Sequence, residues 1–283
     1  MSRSNVAANR IFKPLRVTAP RSDIRVYPCP SVVKFSVKVA PEQITAVVLA
    51  GGFGTRIKHL LGDLPKPMAP VNGKPFVEWV VRYLAAQGIR NVILSTGYLA
   101  KTVEKHFAPQ PVKNVRVTCV PETTPLGTAG GFLHAARSAK NNPAAWLVLN
   151  GDSLVVAPLE KLLSSLDHPE IEGAILGVPM ADASRFGTLS QNVSGDLTGF
   201  NEKKSGAGNI NAGVYLFRDA TLKKFPAKSP LSFEMDVFPT LIASGARLKT
   251  VLSEAPFIDI GTPESLPQAE NFVRENLAQF SPV

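Results

Sequence analysis

The sequence predicts an α/β fold, a doubly wound and mostly parallel sheet with a mixed section toward its C-terminal end. Three observations carry this. From residue 44 to about 150, short apolar runs alternate with amphipathic helical segments. The first of those runs is apolar on both faces, as a strand covered by helices on both sides must be. Beyond about residue 170 the texture changes to strand-like runs broken by Gly and Asn turns.

The elements follow in order. Ile44 to Ala50 is the first strand, stopped by Gly51-Gly52. Phe76, Val77, Val80, Val81 and Leu84 recur at helical spacing, and Gly88 closes that helix as its C-cap. Asn91 to Ser95 reads as a strand, Tyr98 to Phe107 as a helix, Val115 to Val120 as a strand, Thr128 to Lys140 as a helix and Trp146 to Leu149 as a strand. This succession is that of a Rossmann-like sheet. Ile171 to Val178, Gly187 to Gln191, Leu197 to Asn201 and Ile210 to Phe217 then form the mixed section. Pro239 to Ser244 reads as a short helix, Leu248 to Leu252 as a strand and Pro263 to Leu277 as a closing helix. Ahead of the body, the weak alternation of Val32 to Val39 predicts one edge strand.

The 283 residues are 45% hydrophobic and 19% charged, which allows a buried core and argues against global disorder. No stretch approaches the ~20 apolar residues of a membrane helix, so no membrane partner is expected. Two cysteines, Cys29 and Cys119, exclude a disulfide scaffold and a cysteine-ligated zinc site, and fit a reducing, cytoplasmic setting. The net charge of +9 is uneven. Residues 1–43 hold eight basic and two acidic residues, leaving only +3 for the rest. Nucleic-acid binding calls for basic residues over the body, so no nucleic-acid partner is expected. Residues 1–43 read as a flexible basic extension. An acid-poor, Arg-containing start is also compatible with an organelle transit peptide, whereas no apolar h-region marks a secretory signal.

Two motifs carry chemistry. Leu49-Ala50-Gly51-Gly52-Phe53-Gly54-Thr55-Arg56 follows the first strand directly. Its glycines let backbone N–H groups line an anion, and Arg56 adds a cation suited to phosphate oxygens. The spacing matches neither GxGxxG nor GxxxxGK[ST]. In Pro65-Lys66-Pro67-Met68, two prolines fix the backbone around Lys66 and aim its ammonium. Asp152 ends a strand in Asn150-Gly151-Asp152-Ser153, and Asp259 sits in Ile258-Asp259-Ile260-Gly261 before a helix. The four histidines are scattered, and no nucleophile constellation is present.

Leu49 to Ile57 followed by Leu64 to Met68 resembles the signature of the sugar-phosphate nucleotidylyltransferases, and Ala69 to Phe76 is similar to their heptose- and mannose-1-phosphate guanylyltransferase branch. The likeness covers about residues 44–270. It implies a nucleotidyltransferase domain over residues 44–283, with a nucleotide-binding half to residue 157 and a sugar-phosphate-binding half from 158. It implies that a sugar 1-phosphate oxygen attacks the α-phosphorus of a nucleoside triphosphate and pyrophosphate leaves. These two substrates are then the partners, and Mg²⁺ the cofactor. Arg56, Lys66 and Asp152 take catalytic roles, with the ion on Asp152 and Asp259. Leu49, Gly51, Gly52, Gly54, Thr55, Glu122 and Gly127 bind the nucleotide. Gly187, Glu202, Lys203 and Asn211 bind the sugar phosphate, with Glu234 a further lining residue.

A carboxylate at Glu122 only accepts hydrogen bonds, and guanine offers two adjacent donors, which favours GTP. A ribose hydroxyl, or the cap of the following helix, is also open to Glu122. A thymidylyl- or uridylyltransferase and a catalytically silent homologue remain as alternatives. Arg56, Lys66, Asp152 and Asp259 are all present, which a silent homologue would not require. Oligomeric state, homo-oligomer included, is open.

Overall fold

Ile44–Ala50 forms β1, the first strand of a nine-stranded sheet in the computed structural model, which describes residues 38–281 apart from 53, 55 and 202–204. The sequence-predicted strand over Val32 to Val39 lies almost entirely outside the described residues, and Lys38 to Ala40 are irregular. After β1 come a helical turn α1 (Lys58–Leu61) and a small hairpin of β2 (Pro70–Val71) and β3 (Lys74–Pro75). Helix α2 (Phe76–Ala86), β4 (Asn91–Thr96), α3 (Ala100–Phe107), β5 (Arg116–Pro121), α4 (Thr128–Arg137) and β6 (Ala145–Asn150) complete the doubly wound part. Next are β7 (Ser153–Val155), α5 (Glu160–Leu163), β8 (Gly173–Met180), β9 (Thr188–Gln191), β10 (Leu197–Asn201) and β11 (Gly208–Arg218). The chain continues with α6 (Phe238–Ala243), β12 (Leu248–Leu252), β13 (Phe257–Asp259) and α7 (Ser265–Glu275).

β6, β1, β4 and β5 lie side by side and parallel. β11 runs antiparallel to β6 and carries β8 and β9 with it, so strands from before and after residue 158 share one sheet. The mixed C-terminal section expected from the Gly- and Asn-broken runs is this antiparallel extension. β1 sits in the middle, with β4 on one side and β6 on the other. The direction of winding reverses there, and α/β folds leave a crevice at the carboxyl ends of such strands.

The alternation of side chains along β1 feeds two cores. Ile44, Ala46 and Val48 face one layer, closed by Phe76, Val80 and Leu84 of α2 and by Phe272 and Val273 of α7. Val47 faces the other, where α4 and α6 pack Ala129, Phe132 and Leu241 against Trp146 and Val148 of β6. Phe132 is fully buried there, edge-on to Trp146 with centroids 6.0 Å apart and 5.7 Å from Phe233.

Several boundaries differ from the sequence expectation for local reasons. Leu99 takes a left-handed φ of 55°, so the helix expected from Tyr98 starts at Ala100. Helix α2 stops with Gly88 at a φ of 84°, one residue past the Gln87 cap, the usual place for an αL glycine. Helix α4 ends at Arg137 rather than Lys140, and α7 begins at Ser265 rather than Pro263.

Candidate active site

The loop after β1 is tied to the ends of its two neighbours. Gly151 N–H donates to Leu49 O at 2.9 Å, and Tyr98 N–H reaches Gly51 O at 3.4 Å. At Gly54 the backbone has a φ of 58°, and a Cβ would stand 2.6 Å from Lys66 Cβ. Glycine there is what lets the first loop close onto the Pro65-Lys66-Pro67 segment. That segment folds into a short 3₁₀ turn, Lys66–Met68, with Pro67 buried.

These loops open on a cleft of 710 Å³. Leu49, Gly51, Gly52, Gly54, Arg56, Lys66, Glu122, Gly127, Asp152 and Asp259 all line it. The sequence-predicted nucleotide and metal residues that are described are therefore brought to one place. Thr55 lies outside the described residues.

The two aspartates meet through a contact that the sequence did not reveal. β7 and β13 form a two-stranded antiparallel ladder, with Asp259 paired with Ser153. Ile260 N–H donates to Asp152 O at 3.0 Å. Side chains separated by 107 positions thus sit on adjacent strand ends. Lys66 Nζ donates to Asp152 Oδ2 at 2.7 Å, and Arg185 lies 3.8 Å from Asp259 Oδ1. Asp259 Oδ1 also accepts from Gly261 N–H at 2.9 Å. Burial pushes the Asp259 carboxyl above the usual carboxylate range; the Lys66 charge opposes this and the Asp152 charge reinforces it. The oxygens of the two carboxylates are hard, anionic donors, which fits a divalent ion such as Mg²⁺; Lys66 Nζ takes one of them, Asp152 Oδ2, at 2.7 Å. Among the described residues no group of three or more His, Cys, Asp or Glu side chains could hold a metal.

Glu122 is held at both oxygens. Ser95 Oγ–H donates to Oε1 at 3.1 Å and Leu126 N–H to Oε2 at 3.0 Å. Leu126 directly precedes Gly127, the N-cap of α4, so Glu122 holds the turn that leads into the helix rather than an amide of its first turn. The N-terminus of α4 is occupied from elsewhere: Leu231 O accepts from Ala129 and Gly130 N–H at 3.0 and 3.1 Å. Thr123, Thr124, Pro125 and Thr128 complete this wall of the cleft, with Gly97, Tyr98 and Asn150 on others. Asn150 stands in the Asn150-Gly151-Asp152-Ser153 motif without a role assigned to it there, and Gly97 and Tyr98 belong to none of the sequence motifs; they follow the end of a strand without a distinctive spacing.

Gly187 and Asn211 also come together, Asn211 N–H donating to Gly187 O at 3.0 Å. Glu202 and Lys203, their expected partners, lie outside the described residues. Asn211 Nδ2 donates to Tyr215 Oη at 2.9 Å, and Tyr215 O–H donates to Glu234 Oε1 at 3.1 Å. Ser232 Oγ–H holds the other Glu234 oxygen at 3.0 Å. Full burial, then the Glu234 charge, hold the Tyr215 hydroxyl well above its ordinary pKa, so it stays a proton donor. Its sequence signal was only that of an apolar strand position.

Backbone amides, two basic side chains and a carboxylate pair at the switch point of a doubly wound sheet define an enzyme that handles phosphate groups. Residues 45–276 match the family described as Nucleotidyl transferase, and the chain belongs to that family. It is 33% identical over 226 residues to D-glycero-alpha-D-manno-heptose 1-phosphate guanylyltransferase of Aneurinibacillus thermoaerophilus, covering 80% of this chain and 96% of that one. It is 34% identical over 229 residues to mannose-1-phosphate guanylyltransferase of Mycobacterium tuberculosis, covering 80% of this chain but only 63% of that protein. Among solved structures, HddC from Yersinia pseudotuberculosis complexed with GMP-PN superposes with a TM-score of 0.71 at 32% identity, over 81% of this chain and 98% of that one. No helix among the described residues is long and apolar enough to cross a membrane.

Proposed function

We propose that the protein transfers a guanylyl group from GTP to a sugar 1-phosphate of the mannose or heptose type, releasing pyrophosphate and forming a GDP-sugar. The observation that carries this reading is the convergence of Lys66, Asp152, Asp259 and the Gly51–Gly54 loop on the cleft that Glu122 also lines. The names of the two guanylyltransferase relatives support the base and the acceptor class.

Each group has a task in an in-line displacement. Phosphoryl-type transfer depends on positioning and charge stabilisation rather than on a protein nucleophile. Loop N–H groups at Gly51, Gly52 and Gly54 cradle the triphosphate, and Arg56 and Lys66 neutralise the charge that moves onto the departing pyrophosphate. Asp152 and Asp259 would hold Mg²⁺, which supplies charge neutralisation to the phosphate oxygens when bound. Glu122 keeps a lone pair on each oxygen beyond its bonds to Ser95 and Leu126, enough to accept the adjacent N1–H and N2–H of guanine. Gly187, Asn211 and Glu234, with Glu202 and Lys203, form the acceptor side. We place the reaction in the cytoplasm, in keeping with the unpaired thiol of Cys119.

Pyrophosphate release measured over a matrix of GTP, ATP, UTP, CTP and dTTP against mannose, glucose and heptose 1-phosphates tests the reading. GTP with mannose or heptose 1-phosphate is expected to turn over fastest. A clear preference for dTTP or UTP would overturn the base assignment, and no release with any pair would leave a silent homologue.

A further inference from the structure

We propose that Arg185 is a further cation, besides Lys203, that receives the phosphate of the acceptor sugar 1-phosphate, an inference that rests on the reaction proposed above. In that reaction two anionic substrates must bring an acceptor oxygen and an α-phosphorus together. Cations are needed on the approach of both, because each phosphate repels the other. Among the described residues, the basic side chains lining the cleft are Arg56 and Lys66, from the loops that follow β1. Lys66 stands 2.7 Å from Asp152 Oδ2, among the groups assigned to the nucleotide phosphates. Arg185 arrives from a different part of the fold, the β8–β9 connection, and reaches the other carboxylate, Asp259.

The position of Arg185 is built from both sides. Phe186 packs edge-on against Phe257 of β13, the strand that ends in Asp259, with centroids 5.6 Å apart. The Arg185 guanidinium lies 5.5 Å from the centroid of the Phe186 ring. Phe186 N–H donates to Ala183 O at 2.9 Å, closing the turn that carries Arg185. One residue further on, Gly187 O takes the Asn211 amide at 3.0 Å, so the segment is fastened to the acceptor side. This anchoring delivers a planar five-donor fork to the rim of the carboxylate pair, a geometry matched to phosphate.

Structural stability alone does not account for the placement. The Arg185–Asp259 pair is 3.8 Å long and the arginine side chain is 51% exposed, so the pair contributes little to folding. A half-exposed guanidinium in a loose pair is free to turn from the carboxylate to an incoming phosphate dianion. Arg185 also lies in Ala183-Ser184-Arg185-Phe186-Gly187, two residues before the Gly187 proposed for that side.

The test is steady-state kinetics of Arg185→Gln and Arg185→Lys with GTP and mannose 1-phosphate, alongside their thermal midpoints. Arg185→Gln is expected to raise the KM for the sugar 1-phosphate roughly 10- to 100-fold, the scale of losing a charged hydrogen bond, with the KM for GTP and the thermal midpoint unchanged. Arg185→Lys is expected to recover part of that loss. An unchanged acceptor KM in Arg185→Gln, or equal rises in both KM values, would overturn the assignment. Wild-type enzyme inactive with every nucleotide and sugar pair would instead refute the reaction itself, and the assignment with it.

Discussion

Glu122 has one donor on each carboxylate oxygen, from Ser95 and from Leu126, and both are fixed parts of the sheet and the following turn. The plane of the carboxylate is therefore set before any base arrives. Glu122→Gln keeps the shape but turns one acceptor into a donor that faces a guanine N–H. The GTP kcat/KM is expected to fall roughly 10- to 100-fold while the UTP value changes less, so the GTP:UTP ratio is the quantity to measure. An unchanged ratio would move Glu122 from the base to the ribose. Side chains of this kind were legible in part. Arg56, Lys66, Asp152 and Glu122 stand in dense local motifs, and the structure places them together. Arg185 and Tyr215 were not legible, because their roles arise from contacts across the chain: Arg185 with Asp259, and Tyr215 with Glu234.

Among the elements, those of the doubly wound part were readable because one rule governed each. The both-faces apolar run of Ile44–Ala50 is a central strand, and the helical spacing of Phe76 to Leu84 is a core-facing helix. Short elements escaped. Ser153–Val155 and Phe257–Asp259 are three residues each, too brief for a periodic signal, and each becomes a strand only by pairing with the other. The single π-helical turn at Phe233–Val237 is likewise imposed by packing, with Phe233 fully buried among Phe132, Tyr215 and Phe217. Phe132 joins α4 to that cluster from within the helix that follows the Glu122 wall. Phe132→Ala should cost about 3–5 kcal/mol of stability through the cavity it leaves, measured by denaturant unfolding. A loss below about 1 kcal/mol would mean that the cluster repacks and that α4 is not held by it.

At the scale of the molecule, the topology explains why residues so far apart in sequence serve one cleft. The parallel strands β1, β4, β5 and β6 all end at the same edge, which gathers the Gly51 loop, Gly97, Glu122 and Asp152. The β7–β13 ladder then brings Asp259 back to Asp152. The whole account depends on those two carboxylates serving one divalent ion beside the nucleotide phosphates. The direct measurement is a crystal of the protein with Mn²⁺ and a non-hydrolysable GTP analogue, read at the manganese absorption edge. The account predicts an anomalous peak at about 2.0–2.3 Å from an oxygen of both Asp152 and Asp259, next to the α-phosphate. A nucleotide bound in the cleft with its metal on neither aspartate would contradict it.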